Sequence, residues 1–354
     1  MYRNTYVEIN LGNITHNVKE LIKKYNQYKY YFGVVKADSY GHNDIKTVKA
    51  VIDGGCNYLA VATLDEALEI RKYIKDIPIL CFGIIPIEYI NICIEHNITV
   101  TISNIQYLQV LLKQNTNNLR VHIKINSGMN RLGTNNKLEF NSMFQMIRNS
   151  NIILEGIYTH IHSAHDSTLT LGQIREFENI TSDIDLNEIP IVHIYASEAT
   201  INFPKLPYAN GCRLGIAMYG FTKNTDLHLL PTFSLYSEVI QINTVNNGTV
   251  GYNAAYLAKG KEYIAVIPIG YADGIIRKNT GRYVYINNKS YPIVGNICMD
   301  MLFVKVDNSV KVGDKVIIIK DIEHIIEIAK HLDTIPYEIM CSISKRIPRI
   351  YIEG

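Results

Sequence analysis

Tyr31-Phe-Gly-Val-Val-Lys36-Ala-Asp-Ser-Tyr40-Gly41-His42 begins as an unbroken apolar run and ends that run on a lysine. A run with no polar alternation reads as a strand buried on both faces, the habit of parallel sheets. Similar runs recur near residues 57–62, 78–83, 98–102, 120–125, 153–158, 190–195 and 213–218, and amphipathic stretches separate most of them. Residues 64–74 and 138–148 carry apolar positions at helical spacing. Eight strands alternating with helices predict a (β/α)8 barrel rather than an open sheet.

The pattern changes after about residue 225. Runs at 235–242, 263–268, 283–286, 292–297, 301–306 and 315–319 read as short strands separated by turns such as Asn246-Asn-Gly248, with one helix near 322–331. We therefore expect an α/β barrel domain over residues 1–228 and a mostly β domain over 229–354, with about the first ten residues packing on the second domain. The 354-residue length suits about two domains.

Charged residues make up 19% and the net charge is +2, which argues against a nucleic-acid footprint or a disordered tail. The N-terminus lacks the apolar core of a signal peptide, and the longest apolar run, 77–87, is too short to span a bilayer. Six cysteines form no C-x-x-C pair and sit mostly in apolar runs. Reduced core thiols in a cytosolic protein are expected. With 25 tyrosines and no tryptophan, a single tyrosine is weak as a sign of function.

In a barrel, chemistry collects at the C-terminal ends of the strands. Lys36 ends the first strand, in surroundings that disfavour the ammonium and favour a nucleophilic amine. Such an amine suits a Schiff base, for which pyridoxal phosphate (PLP) is the usual partner. Lys124 lies on the fifth strand, with Arg131 just beyond it. His160 ends the sixth, Ser197 follows the seventh, and Arg213 falls at the eighth. Each alone reads as a rim ion pair or a core histidine; together they read as one pocket. His160-Ile-His162-Ser-Ala-His165-Asp166 has metal-like spacing, so a barrel metal hydrolase is a further reading. The strand is expected to end near His160, which leaves His162 and His165 in a loop and disfavours that reading.

The ordered set of motifs resembles the alanine racemase family. It comprises Val34-Val-Lys36-Ala-Asp-Ser-Tyr40-Gly41-His42, Ile123-Lys-Ile-Asn-Ser-Gly-Met-Asn-Arg-Leu-Gly133, Gly211-Cys-Arg-Leu-Gly-Ile-Ala-Met-Tyr-Gly220, Gly251-Tyr-Asn-Ala-Ala-Tyr256, Ile267-Pro-Ile-Gly-Tyr-Ala-Asp-Gly274, Val294-Gly-Asn-Ile-Cys-Met-Asp300 and Ser344-Lys-Arg-Ile-Pro-Arg-Ile350. The resemblance implies a PLP-dependent, homodimeric enzyme that makes D-alanine for peptidoglycan. Lys36 would hold PLP and act as one base. Tyr256, from the partner subunit, would act as the other, its phenolate supported by His160 and Arg213. Arg213 would face the pyridine nitrogen. Tyr40, Ser197 and the N–H groups of Gly215 and Ile216 would hold the phosphate. Arg131 would meet the substrate carboxylate or the PLP hydroxyl, Lys124 would orient it, with carbamylation common at that position, Met299 and Asp300 would complete the site from the partner chain, and Tyr271 would help line the entrance. No metal is implied.

Two positions depart from the family pattern. Lys345 stands where many members have a tyrosine, and Ala196 replaces a frequent asparagine beside Ser197. Strict alanine preference is therefore open. Serine, or a broader range of amino acids, is the alternative substrate, since a pocket rejects one extra hydroxyl poorly unless built to do so. A non-catalytic PLP-binding barrel is the other alternative, although it leaves residues 225–354 unexplained.

Overall fold

The computed structural model describes residues 2–224 and 226–353. The chain divides into two compact units: residues 14–39 with 44–229, and residues 2–13 and 40–43 with 230–353.

Strand β1 (Tyr6–Asn10) lies in the second of these. The next eight strands are β2 (Tyr30–Val34), β3 (Tyr58–Val61), β4 (Ile79–Cys81), β5 (Ile98–Ile102), β6 (Arg120–Lys124), β7 (Ile153–Tyr158), β8 (Ile191–Ala196) and β9 (Gly211–Leu214). They close in sequence order into a parallel barrel, with β9 pairing back onto β2 through Phe32 and Arg213. Most strand residues are buried, because the helices cover the outside while rings and imidazoles fill the inside. The helix Leu64–Tyr73 starts on a capping box in which Thr63 and Glu66 satisfy each other's backbone N–H groups. The eighth strand sits at Gly211–Leu214, earlier than the apolar run suggests. Its continuation, Ile216–Tyr219, is a buried 3-10 turn closed by Gly220 at φ 100°. Hydropathy alone cannot separate a buried turn from a strand.

The second unit contains β10 (Phe233–Glu238), β11 (Gln241–Asn246), β12 (Thr249–Val250), β13 (Tyr256–Leu257), β14 (Lys261–Ile267), β15 (Tyr283–Ile286), β16 (Lys289–Val294), β17 (Leu302–Val306), β18 (Lys315–Ile319) and β19 (Arg349–Ile352). Nine of its strands form one sheet in the order β11-β14-β17-β16-β15-β18-β10-β1-β19, and β12 and β13 pair separately. The single strand expected over 235–242 is two strands that lie far apart in that order, so the apolar run hides a sharp change of direction. The parallel pairing of β1 with β19, Val7 opposite Arg349, joins the two ends of the sequence and leaves no local signal. The helix near 322–331 is present as Ile322–Leu332. A second, Pro336–Cys341, is too short to show periodicity. Among the described residues no helix is long and apolar enough to cross a membrane. Among the described residues no disulfide joins any of the six cysteines, and four of them are buried.

Candidate active site

Lys36 lies two residues beyond β2, at the start of a turn without precedent in its sequence. Ala37, Asp38, Ser39 and Tyr40 have φ of 52°, 51°, 53° and 57°, a full left-handed turn built without glycine. L-residues resist this by about 1–2 kcal/mol each, so the turn stores roughly 4–8 kcal/mol. Neighbouring groups hold it in place. Ser39 N–H donates to Val35 O at 3.0 Å. Glu66 accepts from Ala37 N–H and Ala62 N–H, both at 2.7 Å. In the other unit, Gly41 has φ 82°, and a Cβ there would lie 2.2 Å from Met340 O. Only glycine fits. His42 Nε2 lies 2.8 Å from Thr232 Oγ1. Ala37 is exposed, so Ala37→Val removes no packing yet puts a β-branched residue in the left-handed region. We expect Ala37→Val to lose more than about 1 kcal/mol in a urea titration, and Ala37→Gly to be neutral or slightly stabilising; equal loss in both would contradict the strain.

Around the barrel mouth, Lys124, His160 and Arg213 are drawn together by β6, the residues after β7, and β9. Arg213 is buried, and its terminal nitrogens are fully engaged. NH1 donates to His193 Nδ1 and His193 O at 2.8 Å, and NH2 to Thr159 O and Ile194 O at 2.8 Å and to His160 Nδ1 at 3.4 Å. Burial pulls its pKa down to about 10, so it remains a cation at neutral pH. Among the described residues its Nε–H has no acceptor. Burial, then the charges of Arg213, Lys124, Arg131 and Lys36, push His160 down to about 2. These four positive charges all disfavour a proton on His160, which stays neutral at physiological pH. Because a guanidinium can only donate, His160 Nδ1 accepts and Nε2 carries the proton. Lys124 is buried with its Nζ 4.7 Å from the centre of the Tyr158 ring. Burial and the nearby Arg213 and Arg131 drive its pKa well below that of a free lysine.

Ser197 is the first residue of the helix Ser197–Asn202. Its Oγ accepts from Gly215 N–H at 2.8 Å and from Ala217 N–H at 3.5 Å, which leaves its own hydrogen to donate. Gly215 N–H is thus already engaged. The metal-like run has other work: His162 Nδ1 shares a hydrogen with Ser163 Oγ at 2.7 Å, and Asp166 caps the helix Ser167–Ile180 through Leu169 N–H.

In the second unit, Tyr256 on β13 donates to Glu262 Oε2 at 2.6 Å, and Lys305 pairs with Glu262 Oε1 at 2.8 Å. Burial and the Glu262 contact raise the phenol's pKa, and Lys305 works against them. Sequence reasoning missed both partners; Glu262 and Lys305 are ordinary strand charges until β14 and β17 pair. Tyr271 and Met299 are exposed on loops sewn together by Tyr271 N–H to Cys298 O and Ala272 N–H to Met299 O, each 3.0 Å. Gly270 permits this, since a Cβ would meet Met299 O at 2.4 Å. Asp300 accepts from Arg346 at 2.7 Å, and Lys345 is exposed.

The fold and the cation-lined barrel mouth define a barrel-plus-β enzyme with a strand-end lysine. The alanine racemase N-terminal domain model matches residues 9–223 and the C-terminal domain model residues 232–351. Alanine racemase 1 of Bacillus subtilis is 35% identical over 100% of this chain and 94% of its own length. The alanine racemase of Halalkalibacterium halodurans is 36% identical, over 99% and 95%. The crystal structure of alanine racemase from Bacillus anthracis with bound L-Ala-P superposes with a TM-score of 0.93 at 33% identity, covering 100% of this chain and 96% of that one. The chain belongs to the alanine racemase family.

Proposed function

We propose that this protein is a cytosolic, PLP-dependent alanine racemase that interconverts L- and D-alanine and supplies D-alanine for peptidoglycan. The reading rests on full-length membership of the family together with one observation: a buried, permanently charged arginine whose Nε–H is unspent, in the same cluster of charges as a strand-end lysine. The alanine racemase family is PLP-dependent; when bound, PLP supplies the electron sink that weakens the substrate's Cα–H bond.

The residues fit that group. Arg213 Nε–H matches a ring-nitrogen acceptor, and its charge disfavours a proton on that nitrogen. Ser197 has a hydroxyl hydrogen to give to a phosphate; Tyr40 and the N–H groups of Gly215 and Ile216 complete the set, with Gly215 N–H turning from Ser197 to do so. Lys36 is the attachment point and one proton carrier. Tyr256 of a second subunit is the other, on the opposite face. Racemisation needs a proton taken from one side and returned on the other, which two opposed bases achieve. Tyr256 then needs positive charge to offset the Glu262 contact, and a neutral His160 backed by Arg213 supplies a polarised N–H for the phenolate oxygen.

Arg131 binds the substrate carboxylate as a guanidinium fork. Lys124 sits among like charges with its ammonium disfavoured. A neutral amine in that place takes up carbon dioxide readily, and carbamylation changes it into an anion that pairs with its arginine neighbours. Met299, Asp300 and Tyr271 close the site from the partner in a homodimer.

The test is a chiral assay of the PLP-supplemented protein in deuterated water with L-alanine and L-serine side by side. D-alanine forming faster, with deuterium at Cα, is the expected result. Faster D-serine formation would keep the chemistry and reassign the substrate, with Lys345 and Ala196 the first positions to exchange. No D-product at all would overturn the reading.

A further inference from the structure

Behind Arg213 a polar chain crosses the barrel interior to its N-terminal end. Arg213 NH1 meets His193 Nδ1 at 2.8 Å, and His193 Nε2 meets His122 Nδ1 at 2.9 Å. His122 Nε2 then lies 3.3 Å from Glu155 Oε2, close enough for electrostatic pairing but off the line of a hydrogen bond, and it has no other acceptor among the described residues. Glu155 is also held by Tyr58 OH at 2.6 Å, Thr99 Oγ1 at 2.9 Å and Arg120 NH1 at 3.1 Å.

The direction of every link follows from its first member. Arginine has no acceptor, so His193 Nδ1 must accept. The His193 proton is then on Nε2, which donates to His122 Nδ1, and the His122 proton is on Nε2, facing a carboxylate. Both imidazoles have no solvent exposure. Burial, with Arg213 also acting on each and Lys124 on His193, keeps both neutral at physiological pH, although Glu155 pulls His122 the other way. Burial alone would raise Glu155, but His122, Tyr58 and Thr99 hold it down at about 2. Arg213 makes no ion pair among the described residues. The carboxylate it reaches lies at the far end of this chain.

The backbone is shaped for these groups. Glu155 is the extra residue of a bulge in β7, where the register with β6 shifts from Val121–Leu154 to His122–Gly156. A bulge re-aims a side chain. A Cβ on Gly156 would strike the His122 ring at 2.6 Å, and one on Gly211 would come within 3.1 Å of His193 Cβ. Two strand glycines therefore make room for two rings. Phe32 and Tyr158 stack on His193 with centroids at 4.4 Å and 4.7 Å, fixing its plane. A hydrophobic core would fill this space with neither glycines nor a bulge.

Resting on the PLP reading above, we propose that Glu155 is a positioning residue for Arg213: through His122 and His193 it fixes both tautomers so that an imidazole lone pair meets the guanidinium. Without its negative charge, both histidines can flip tautomer together. His193 then presents Nδ1–H to Arg213 NH1, donor against donor, and the arginine loses its fixed aim.

The test reads the tautomers directly. Imidazole 15N shifts of the protein, with and without PLP, are expected to show His122 and His193 protonated at Nε2 only. Glu155→Gln is expected to give a mixture of tautomers, to raise the apparent pKa of the ring nitrogen of 15N-labelled PLP, and to lower kcat about tenfold with little change in KM. Glu155→Asp keeps the charge and restores most of the wild-type shifts. Tyr58→Phe, which leaves the histidines intact, gives an intermediate shift and covers a poorly folded Glu155 variant. Nδ1 protonation of His193 in the wild type, or unchanged tautomers and unchanged ring-nitrogen pKa in both variants, overturns the relay. Correct tautomers in a protein without racemase activity would overturn the PLP reading instead.

Discussion

Tyr256→Phe is expected to lower alanine racemisation by about 10³-fold, within the 10²–10⁴ range for loss of a general acid–base group. The substitution removes one oxygen and keeps the ring, so packing against Val250 and Val294 survives. It also leaves Glu262, only 7% exposed, held by Lys305 and Lys259 N–H alone, so a modest loss of stability accompanies the loss of activity. The more discriminating readout is exchange at Cα. With one base removed, the other face still trades its proton with solvent, so one enantiomer of alanine takes up deuterium without inverting while its mirror image stays unlabelled. A variant that racemises at the wild-type rate, or that washes out both enantiomers equally, would show that Tyr256 is not the second base. Glu262→Gln is the companion variant. It relieves the contact that keeps the phenol protonated, and should move the acid limb of the pH–rate profile, in the direction in which Tyr256 takes the proton, to lower pH without abolishing activity.

How legible each part was depends on the kind of signal it leaves. Barrel strands are buried on both faces and stand out as apolar runs; their tips, including Lys36, follow at once. The left-handed turn after Lys36 is invisible, because Ala-Asp-Ser carries no glycine to mark positive φ. Tyr256 could be singled out only by family resemblance, as one tyrosine among 25. β1 and β19 pair across nearly the whole length of the chain, beyond the reach of any local pattern. The interior relay lies between these extremes. His122, His193 and Glu155 read as scattered core polars, and the clue was their company: Gly156 and Gly211 inside otherwise well-filled strands.

The same histidines make the barrel acid-sensitive. His122, His160 and His193 have folded pKa values below their unfolded value of 6.5, about 2 in the case of His160. A depressed folded pKa gives stability that is present above the unfolded value and is lost as pH falls toward the folded one. Below pH 6.5 the unfolded chain binds protons that the folded barrel takes up less readily. His160 alone, at about 2, gives a slope of about 1.4 kcal/mol per pH unit, and His122 and His193 add to it in the same direction. By pH 5 the loss from His160 alone is about 2 kcal/mol, a sizeable part of the stability of an ordinary domain. Glu155 cannot compensate in this window. Its own depressed pKa, about 2 against 4.5, makes a contribution that stays constant down to pH 4.5 and declines only below it. In the second unit, His324 is lowered in the same way, to about 4. Urea titrations of the protein without added cofactor, followed by tyrosine near-ultraviolet circular dichroism at pH 7.5, 6.5 and 5.5, should show a small change over the first step and a loss of more than about 1 kcal/mol over the second. His122→Asn should make that loss shallower. A barrel equally stable at all three values would mean that the imidazoles take up protons in the folded state, and the fixed tautomers that orient Arg213 would go with them.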